Sequence, residues 1–204
     1  TLTDAEGKNM KFNYNITTKS TDGTINKKTL ILTPVTFERT YDGTVDINRA
    51  SDNSYTQEGL VTAYDKSTGV VTEYADKNAG TKDISILKGY IITDKDSADM
   101  SGNYNITDTA KVQGTINKQD IELTPVTYER IYDGTVDINR ASKDAYTQKG
   151  LVSKFDTISG VVTEYADKNA GTKDISILQG YTITDKSGKD MSGNYKITDT
   201  ATVK

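Results

Sequence analysis

The stretch Val70–Leu87 (VVTEYADKNAGTKDISIL) decides the fold of this chain, because it occurs a second time, unchanged, as residues 161–178. In its first part, alternate side chains point to opposite faces of an extended chain, and after residue 83 isoleucines alternate with polar residues. Between these parts lies Asp76–Gly80, whose Asn and Gly tolerate positive φ and whose Asp can accept hydrogen bonds from nearby backbone amides. The stretch therefore predicts two β-strands joined by a tight connection.

A repeat of 91 residues extends well beyond this stretch. Residues 28–113 and 119–204 align without a gap, and 62 of their 86 positions are identical, which indicates two copies of one domain. Gly23–Lys27 also equals Gly114–Lys118, and residues 13–17 equal residues 103–107. We therefore expect residues 1–22 to be the tail of a preceding repeat, 23–113 to be the first repeat and 114–204 the second. On this interpretation the chain is a piece of a longer array.

Composition excludes several kinds of chemistry. The chain has no cysteine and no histidine, so disulfides, thiol nucleophiles, Ser-His catalysis and histidine-ligated metal sites are excluded. The net charge of −4 comes from interspersed charges, which argues against nucleic acid as a partner. No apolar run has the length of a membrane span. We expect no enzyme activity, no cofactor, no metal and no membrane insertion.

Short runs of strand-forming residues between turn signals, residues 60–64 among them, predict an all-β fold. Differences between the copies assign the faces of one strand: Ile31 is replaced by Glu122, whereas Leu30 and Leu32 stay apolar, so Leu30 and Leu32 should face the core. We expect about seven strands in each repeat, arranged as an Ig-like β-sandwich. Residues 107–118 have a strand-like rather than a linker-like composition. The sequence thus predicts two tandem β-sandwiches placed end to end as an elongated rod.

Three motifs recur in the same order in both repeats. They are Tyr41–Thr44 (YDGT), Ala75–Thr81 (ADKNAGT) and Gly102–Tyr104 (GNY), with copies at 132–135, 166–172 and 193–195. In this order they resemble the YDG-type repeat, found in tandem in very large bacterial surface adhesins of the filamentous haemagglutinin-like kind. The resemblance implies an extracellular stalk at the bacterial cell surface. The predicted structural-motif residues are Tyr41, Asp42, Gly43, Asp76, Lys77, Asn78, Gly80, Asn103, Tyr104, Tyr132, Asp133, Gly134, Asp167, Lys168, Asn169, Gly171, Asn194 and Tyr195.

Three chemical alternatives compete with these structural roles. Carboxylates such as Asp42 and Glu73 could form a catalytic pair, but nothing in their spacing distinguishes them from turn and surface acids. A calcium site at Asp94–Asp96 would lose a ligand in the second copy, where Ser187 replaces Asp96. An intramolecular amide bond between Lys77 or another lysine and an asparagine competes with an ordinary polar turn.

Two functions remain, a spacer and a binding module. The spacer would project a distal binding domain of a secreted adhesin, as a monomer whose partners are the neighbouring repeats of the same chain. The alternative is an adhesive module in which each repeat binds a host glycan or protein. Variation at 52–58, 66–68 and 96–98, expected to be loops, favours the spacer, and the unchanged turn 76–80 keeps the binding module open.

Overall fold

The protein is β-rich and contains several small sheets. A computed structural model describes residues 1–47, 53–107, 111–138, 142–178 and 180–199 together with Val203. The helices in this part of the chain are single turns, at Lys11–Asn13, Ser101–Asn103, Ser142–Ala145 and Ser192–Asn194. None of the helices within these ranges has the length and apolar character that crossing a bilayer requires. The predicted all-β class is confirmed in this coarse sense.

Sixteen strands lie within the described ranges. Those before the junction are β1 (Lys28–Pro34), β2 (Glu38–Thr40), β3 (Tyr55–Glu58), β4 (Asp65–Thr68), β5 (Val71–Tyr74), β6 (Gly80–Leu87), β7 (Ile91–Asp94), β8 (Tyr104–Thr107) and β9 (Val112–Asn117). Those after it are β10 (Gln119–Pro125), β11 (Tyr146–Lys149), β12 (Asp156–Ser159), β13 (Val162–Tyr165), β14 (Ile175–Leu178), β15 (Thr182–Asp185) and β16 (Tyr195–Asp199).

The first strand, β1, lies in the middle of a sheet with the order β3-β1-β8, antiparallel to β3 and parallel to β8. Leu30 and Leu32 are fully buried, whereas Ile31 is exposed, as the comparison of the two copies predicted. Ile86 of β6 packs against the cluster that contains both leucines. Alternation along β1 therefore sets one apolar face toward the core of the repeat.

The predicted hairpin at 70–87 is confirmed, because β5 and β6 pair antiparallel from Val71 opposite Leu87 to Tyr74 opposite Ile84. These strands belong to a second sheet with the order β2-β9-β6-β5. Strand β9 pairs parallel with β2 on one side and antiparallel with β6 on the other. The sheet thus depends on a strand that comes from the end of the repeat.

Strand β9 also connects the repeats. It runs from Val112 to Asn117 and so continues across the predicted division between residues 113 and 114. Lys118 alone separates it from β10, the first strand of the next sheet. The strand-like character predicted for 107–118 is confirmed for Val112–Asn117; residues 108–110 lie outside the described part of the chain.

The second repeat reproduces most of these pairings. Its sheet β11-β10-β16 and its pairs β12-β15 and β13-β14 correspond in register to those of the first repeat. One difference is instructive: β14 has four residues, whereas β6 has eight, although the two sequences are identical. In the first repeat β9 pairs with Gly80–Ile84; in the second, the described pairing partner there is Val203 alone, opposite Ile175. The residues that β6 has in addition, Gly80–Asp83, are those that pair with β9.

Two loop assignments made from sequence variation were wrong. Residues 55–58 form β3 and residues 66–68 belong to β4. The strand expected at residues 60–64 is also wrong, because these residues form a turn in which the amides of Tyr64 and Asp65 donate hydrogen bonds to the Val61 carbonyl oxygen. Variation misled here because it also occurs on solvent-facing strand positions: Glu58 lies opposite Ile31, and its replacement Lys149 lies opposite Glu122. Asp52 lies outside the described residues.

Gly114 tests the role of β9. A Cβ at this position would lie 2.5 Å from the Phe37 carbonyl oxygen, 2.6 Å from Ile84 Cδ1 and 3.0 Å from the Tyr74 ring. We expect Gly114→Ala to lower the free energy of unfolding by about 2 kcal/mol, since backbone must move to admit the methyl group. Gly102→Ala is the matched control, because nothing lies within 4 Å of its Cβ, and should change stability by less than about 0.5 kcal/mol. Urea unfolding followed by circular dichroism measures both; equal effects would contradict this role of β9.

Candidate functional site: the junction between the repeats

The YDGT motif forms the same local turn in both repeats. Asp42 accepts hydrogen bonds from the amide and the hydroxyl of Thr44, at 2.9 and 2.8 Å, and pairs with Arg39. Burial, which favours the neutral acid, is outweighed by these hydrogen bonds and by the Arg39 charge, so the pKa of Asp42 is lowered. Gly43 has φ +83° and its copy Gly134 has φ +84°, a region that glycine enters most easily. The turn therefore keeps its shape whether or not another repeat packs on it.

The two copies differ in the environment of the tyrosine of this motif. Tyr41 reaches into the second repeat, where its hydroxyl donates to Asp156 Oδ2 at 2.8 Å, while Tyr195 donates to the same oxygen at 2.7 Å. The two rings meet edge to face with centroids 5.4 Å apart. Tyr41 is 2 % exposed, and its copy Tyr132 is 62 % exposed. The tyrosine is therefore a core residue only where a second domain covers it.

Asp156 is the polar centre of the junction. Its side chain is 2 % exposed, and two phenol hydroxyls converge on one of its oxygens. The pKa of Tyr41 is raised far above the usual value, first because the phenol is buried and then because Asp156 accepts its hydrogen bond and is negatively charged. The same causes raise the pKa of Tyr195. Both phenols consequently stay protonated as donors. Removing a donor from a buried acid is costly, so this contact fixes how the repeats meet.

The DKNAG turn makes the second polar contact. Asp76 Oδ1 accepts the Asn78 amide at 2.8 Å, and Lys82 pairs with the other oxygen at 3.0 Å. Burial opposes ionisation, but these bonds prevail and lower the pKa of Asp76. The turn presents the Ala79 amide to Asn194 Oδ1 at 2.7 Å, and Asn194 donates to Asn78 Oδ1 at 3.2 Å. The unchanged turn is thus used to hold the next repeat.

Two further contacts complete the junction. Lys77 Nζ lies 3.9 Å from Asp185 Oδ2, and the Phe155 ring packs directly on Gly43. A single cluster of buried residues joins Tyr41, Tyr74 and Ile116 to Met191 and Tyr195. The repeats therefore share a continuous apolar core with polar contacts along it.

The structure places the predicted motif residues on two faces. One face, here called the tail face, holds Tyr41, Asp42, Gly43, Asp76, Lys77, Asn78 and Gly80 in the first repeat and Tyr132, Asp133, Gly134, Asp167, Lys168, Asn169 and Gly171 in the second. The other, here called the head face, holds Asn103 and Tyr104 in the first repeat and Asn194 and Tyr195 in the second. The junction brings together the first tail face and the second head face.

Sequence reasoning missed the central acid. Asp156 and its copy Asp65 were not singled out, although a signal was present: within residues 62–68, Asp65 alone is kept in the second copy. Asp65 accepts the Tyr104 hydroxyl at 2.6 Å, as Asp156 accepts that of Tyr195. An acid that is kept among variable neighbours, next to an aromatic residue, indicated a buried polar contact.

Comparison with protein families agrees with the motifs. Residues 117–202 match the YDG family. A YDG domain is found there. The match begins at the last residue of β9 and covers the second repeat, which shares 62 of 86 aligned positions with the first. No curated protein and no solved structure matches the chain.

Among the residues that the structure describes, no three acidic side chains are grouped so that they could hold a metal ion. Asp94 and Asp96, considered as calcium ligands, instead bond within their own loop, where Asp94 accepts the amides of Asp96 and Ala98 at 2.9 Å. What the arrangement provides is a pair of complementary surfaces.

The contribution of the Tyr41 hydroxyl to stability can be tested by removing it. We expect Tyr41→Phe to lower the free energy of unfolding by about 1–3 kcal/mol, because a buried carboxylate loses one of its two phenol donors. Tyr132→Phe is the control, since the same residue of the same motif is 62 % exposed, and should be neutral within about 0.5 kcal/mol. Thermal and urea unfolding of the whole chain measure both. A loss as large in Tyr132→Phe would show that the hydroxyl acts within its own turn.

Substitution of the glycines in the two YDGT motifs distinguishes the contribution of the turn from that of the junction. Gly43→Ala and Gly134→Ala should each cost about 1 kcal/mol, since both glycines have positive φ. Gly43→Ala should cost about 1–2 kcal/mol more, because its Cβ would collide with Phe155, whereas the nearest atom to a Cβ at Gly134 is 3.9 Å away. Equal losses in calorimetry would show that Phe155 moves aside freely.

Proposed function

We propose that the chain is a spacer of a bacterial cell-surface adhesin, located outside the cell, in which Ig-like β-sandwiches stand end to end as a rod and project a distal binding domain. The observation that carries this proposal is the junction: one strand completes the first repeat and, after Lys118, the next strand begins the second. A connection of one residue leaves little room for a flexible hinge. No catalytic role belongs to this function.

The packing at the junction supports stiffness. Tyr41, Asn78 and Ala79 hold the second repeat at three points, and each contact uses a group that would be exposed or unpartnered if the repeats separated. Directional hydrogen bonds to a buried acid and a buried amide favour one mutual orientation over others. Ile86 of β6 packs against the buried cluster that contains the leucines of β1, and this packing supports a sandwich within the repeat.

A binding module, in which each repeat contacts a host glycan or protein, is the second candidate function. The unchanged turn 76–80 was its support, because a binding loop should stay constant between copies. In the first repeat this turn contacts Asn194 and Asp185, so the need to join repeats accounts for its constancy. A spacer of this design needs the same turn in every repeat.

Small-angle scattering tests the spacer's shape. A compact particle of this length has a radius of gyration of roughly 17 Å, whereas two domains of roughly 35–40 Å placed end to end give about 20 Å or more. We expect the longer value at low protein concentration, and a profile that fits one interdomain angle. Replacing Asp156 by Ala should broaden the distribution of angles, and replacing the outlying Asp22 by Ala should not. A compact or broad profile for the unaltered chain would contradict the rod.

Binding assays complete this test. We expect no saturable binding of the two-repeat chain to glycan arrays or to host-cell surface proteins. Specific binding that disappears in Lys168→Ala and Asn169→Ala, whose side chains are exposed in the second repeat, would favour the binding module instead.

A further inference from the structure

In each repeat an early strand and a late strand lie side by side and run in the same direction. In the first repeat β1 pairs parallel with β8, from Lys28 opposite Tyr104 to Ile31 opposite Thr107. The copies of these strands, β10 and β16, pair parallel in the corresponding register. The chain therefore enters β1 at one end of the parallel pair and leaves β8 at the other end.

This arrangement determines how a pull along the chain acts on the hydrogen bonds between the two strands. Lys28 and Thr107 are offset along the strands by about 10 Å, whereas neighbouring strands lie only about 4.8 Å apart. A pull between these two residues therefore acts mainly along the strands. Hydrogen bonds of a parallel pair are evenly spaced, so all of them resist such a pull together. A pull across the pair from one end would instead open the bonds one after another.

Strand β1 is held on both sides and by its side chains. On the side away from β8 it pairs antiparallel with β3, and its residues Leu30 and Leu32 are fully buried in the core. Strand β8 lies at the edge of the sheet β3-β1-β8. A force on β1 therefore passes into the core of the repeat, and β8 is the strand that would have to slide.

Side chains of β8 oppose this sliding. Tyr104, the last residue of the GNY motif, is buried; its hydroxyl donates to Asp65 Oδ2 at 2.6 Å and accepts the Val61 amide at 3.2 Å. Ile106 packs against the buried cluster that contains the leucines of β1. A slip of one residue along β1 would turn these side chains to the opposite face of the sheet. Strand β8 therefore cannot move along β1 in small steps.

Strand β9 lies on the path of the force between β8 and the second repeat. It pairs with Gly80–Ile84 of β6 on one side and with β2 on the other. Tension that passes from β10 into the first repeat acts on β9 first. If β9 is drawn out, the tension reaches Thr107 at the end of β8, and the parallel pair β1-β8 is then loaded. The pair is thus a second barrier behind β9.

We propose that the parallel pairs β1-β8 and β10-β16 give the chain a further function, resistance to tension applied along it. Each pair acts as a mechanical clamp, because its hydrogen bonds have to break together before the repeat can extend. The inference goes beyond the proposed spacer, since a rod can be stiff in solution and still unfold under a small pull. Forced unfolding depends on the rate of unfolding rather than on equilibrium stability, so the direction of the force decides the resistance.

Single-molecule pulling of the whole chain with optical tweezers tests the clamp. The chain has no cysteine of its own, so two introduced cysteines define where the DNA handles attach. Lys28→Cys with Thr107→Cys places the handles at opposite ends of the pair, and the pull acts along the strands. Lys28→Cys with Gly102→Cys is the matched control, because Gly102 shortly precedes Tyr104, which lies opposite Lys28, and the pull then acts across one end. We expect the first variant to unfold at about twice the force of the second or more, at equal pulling speed.

Urea unfolding of the reduced variants without handles should give the same midpoint for both, since Lys28 is exposed and nothing lies within 4 Å of a Cβ at Gly102. If Gly102→Cys lowers the midpoint, the exposed Asn103, at the same end of β8, replaces it as the attachment point. Equal unfolding forces in the two directions, or a lower force along the strands, would overturn the proposal. Both pulls act within the first repeat, whereas scattering measures how the two repeats are arranged, so the clamp and the spacer can fail separately.

Discussion

The structure depends on the pairing of one strand, β9, with the sheet of the first repeat. Gly114 brings its backbone against the Tyr74 ring, Ile116 enters the core, and the Asn117 carbonyl oxygen accepts the Tyr41 amide. These contacts hold the YDGT motif at the end of the sheet, with Tyr41 directed at the next repeat. Since β10 starts after Lys118, the strand that completes one domain also fixes where the next begins.

A buried carboxylate then sets the angle at which the repeats meet. An apolar contact alone tolerates sliding, because burial is proportional to area and has no direction. Asp156 needs both phenol donors, and the donors come from different repeats, Tyr41 from the first and Tyr195 from the second. In any other orientation of the repeats, the buried carboxylate of Asp156 would lose one of these two donors. The free-energy cost of that loss makes the orientation specific.

Identical sequences adopt different structures in the two repeats, depending on which other parts of the chain they contact. Gly80–Asp83 is strand beside β9, whereas the same four residues at 171–174 are not strand. Tyr41 is buried and Tyr132 is exposed. Local sequence is the same in each pair, so the difference comes from the contacts that β9 supplies to Gly80–Asp83 and that the second repeat supplies to Tyr41.

The amino-acid sequence alone was enough to specify the features that local chemistry controls. The differences between the two copies assigned Leu30 and Leu32 to the core, the turn residues within 76–80 predicted the hairpin at 70–87, and the 91-residue period revealed the duplication. The three-dimensional packing was needed to show that the unchanged turn at 76–80 meets Asn194, and that Asp156 lies between two tyrosines. Residues 115 positions apart make those contacts, and no periodicity within a strand carries information over that distance. Local patterns specify which face of a strand is apolar, but the surface that covers this face is chosen by the packing of whole domains.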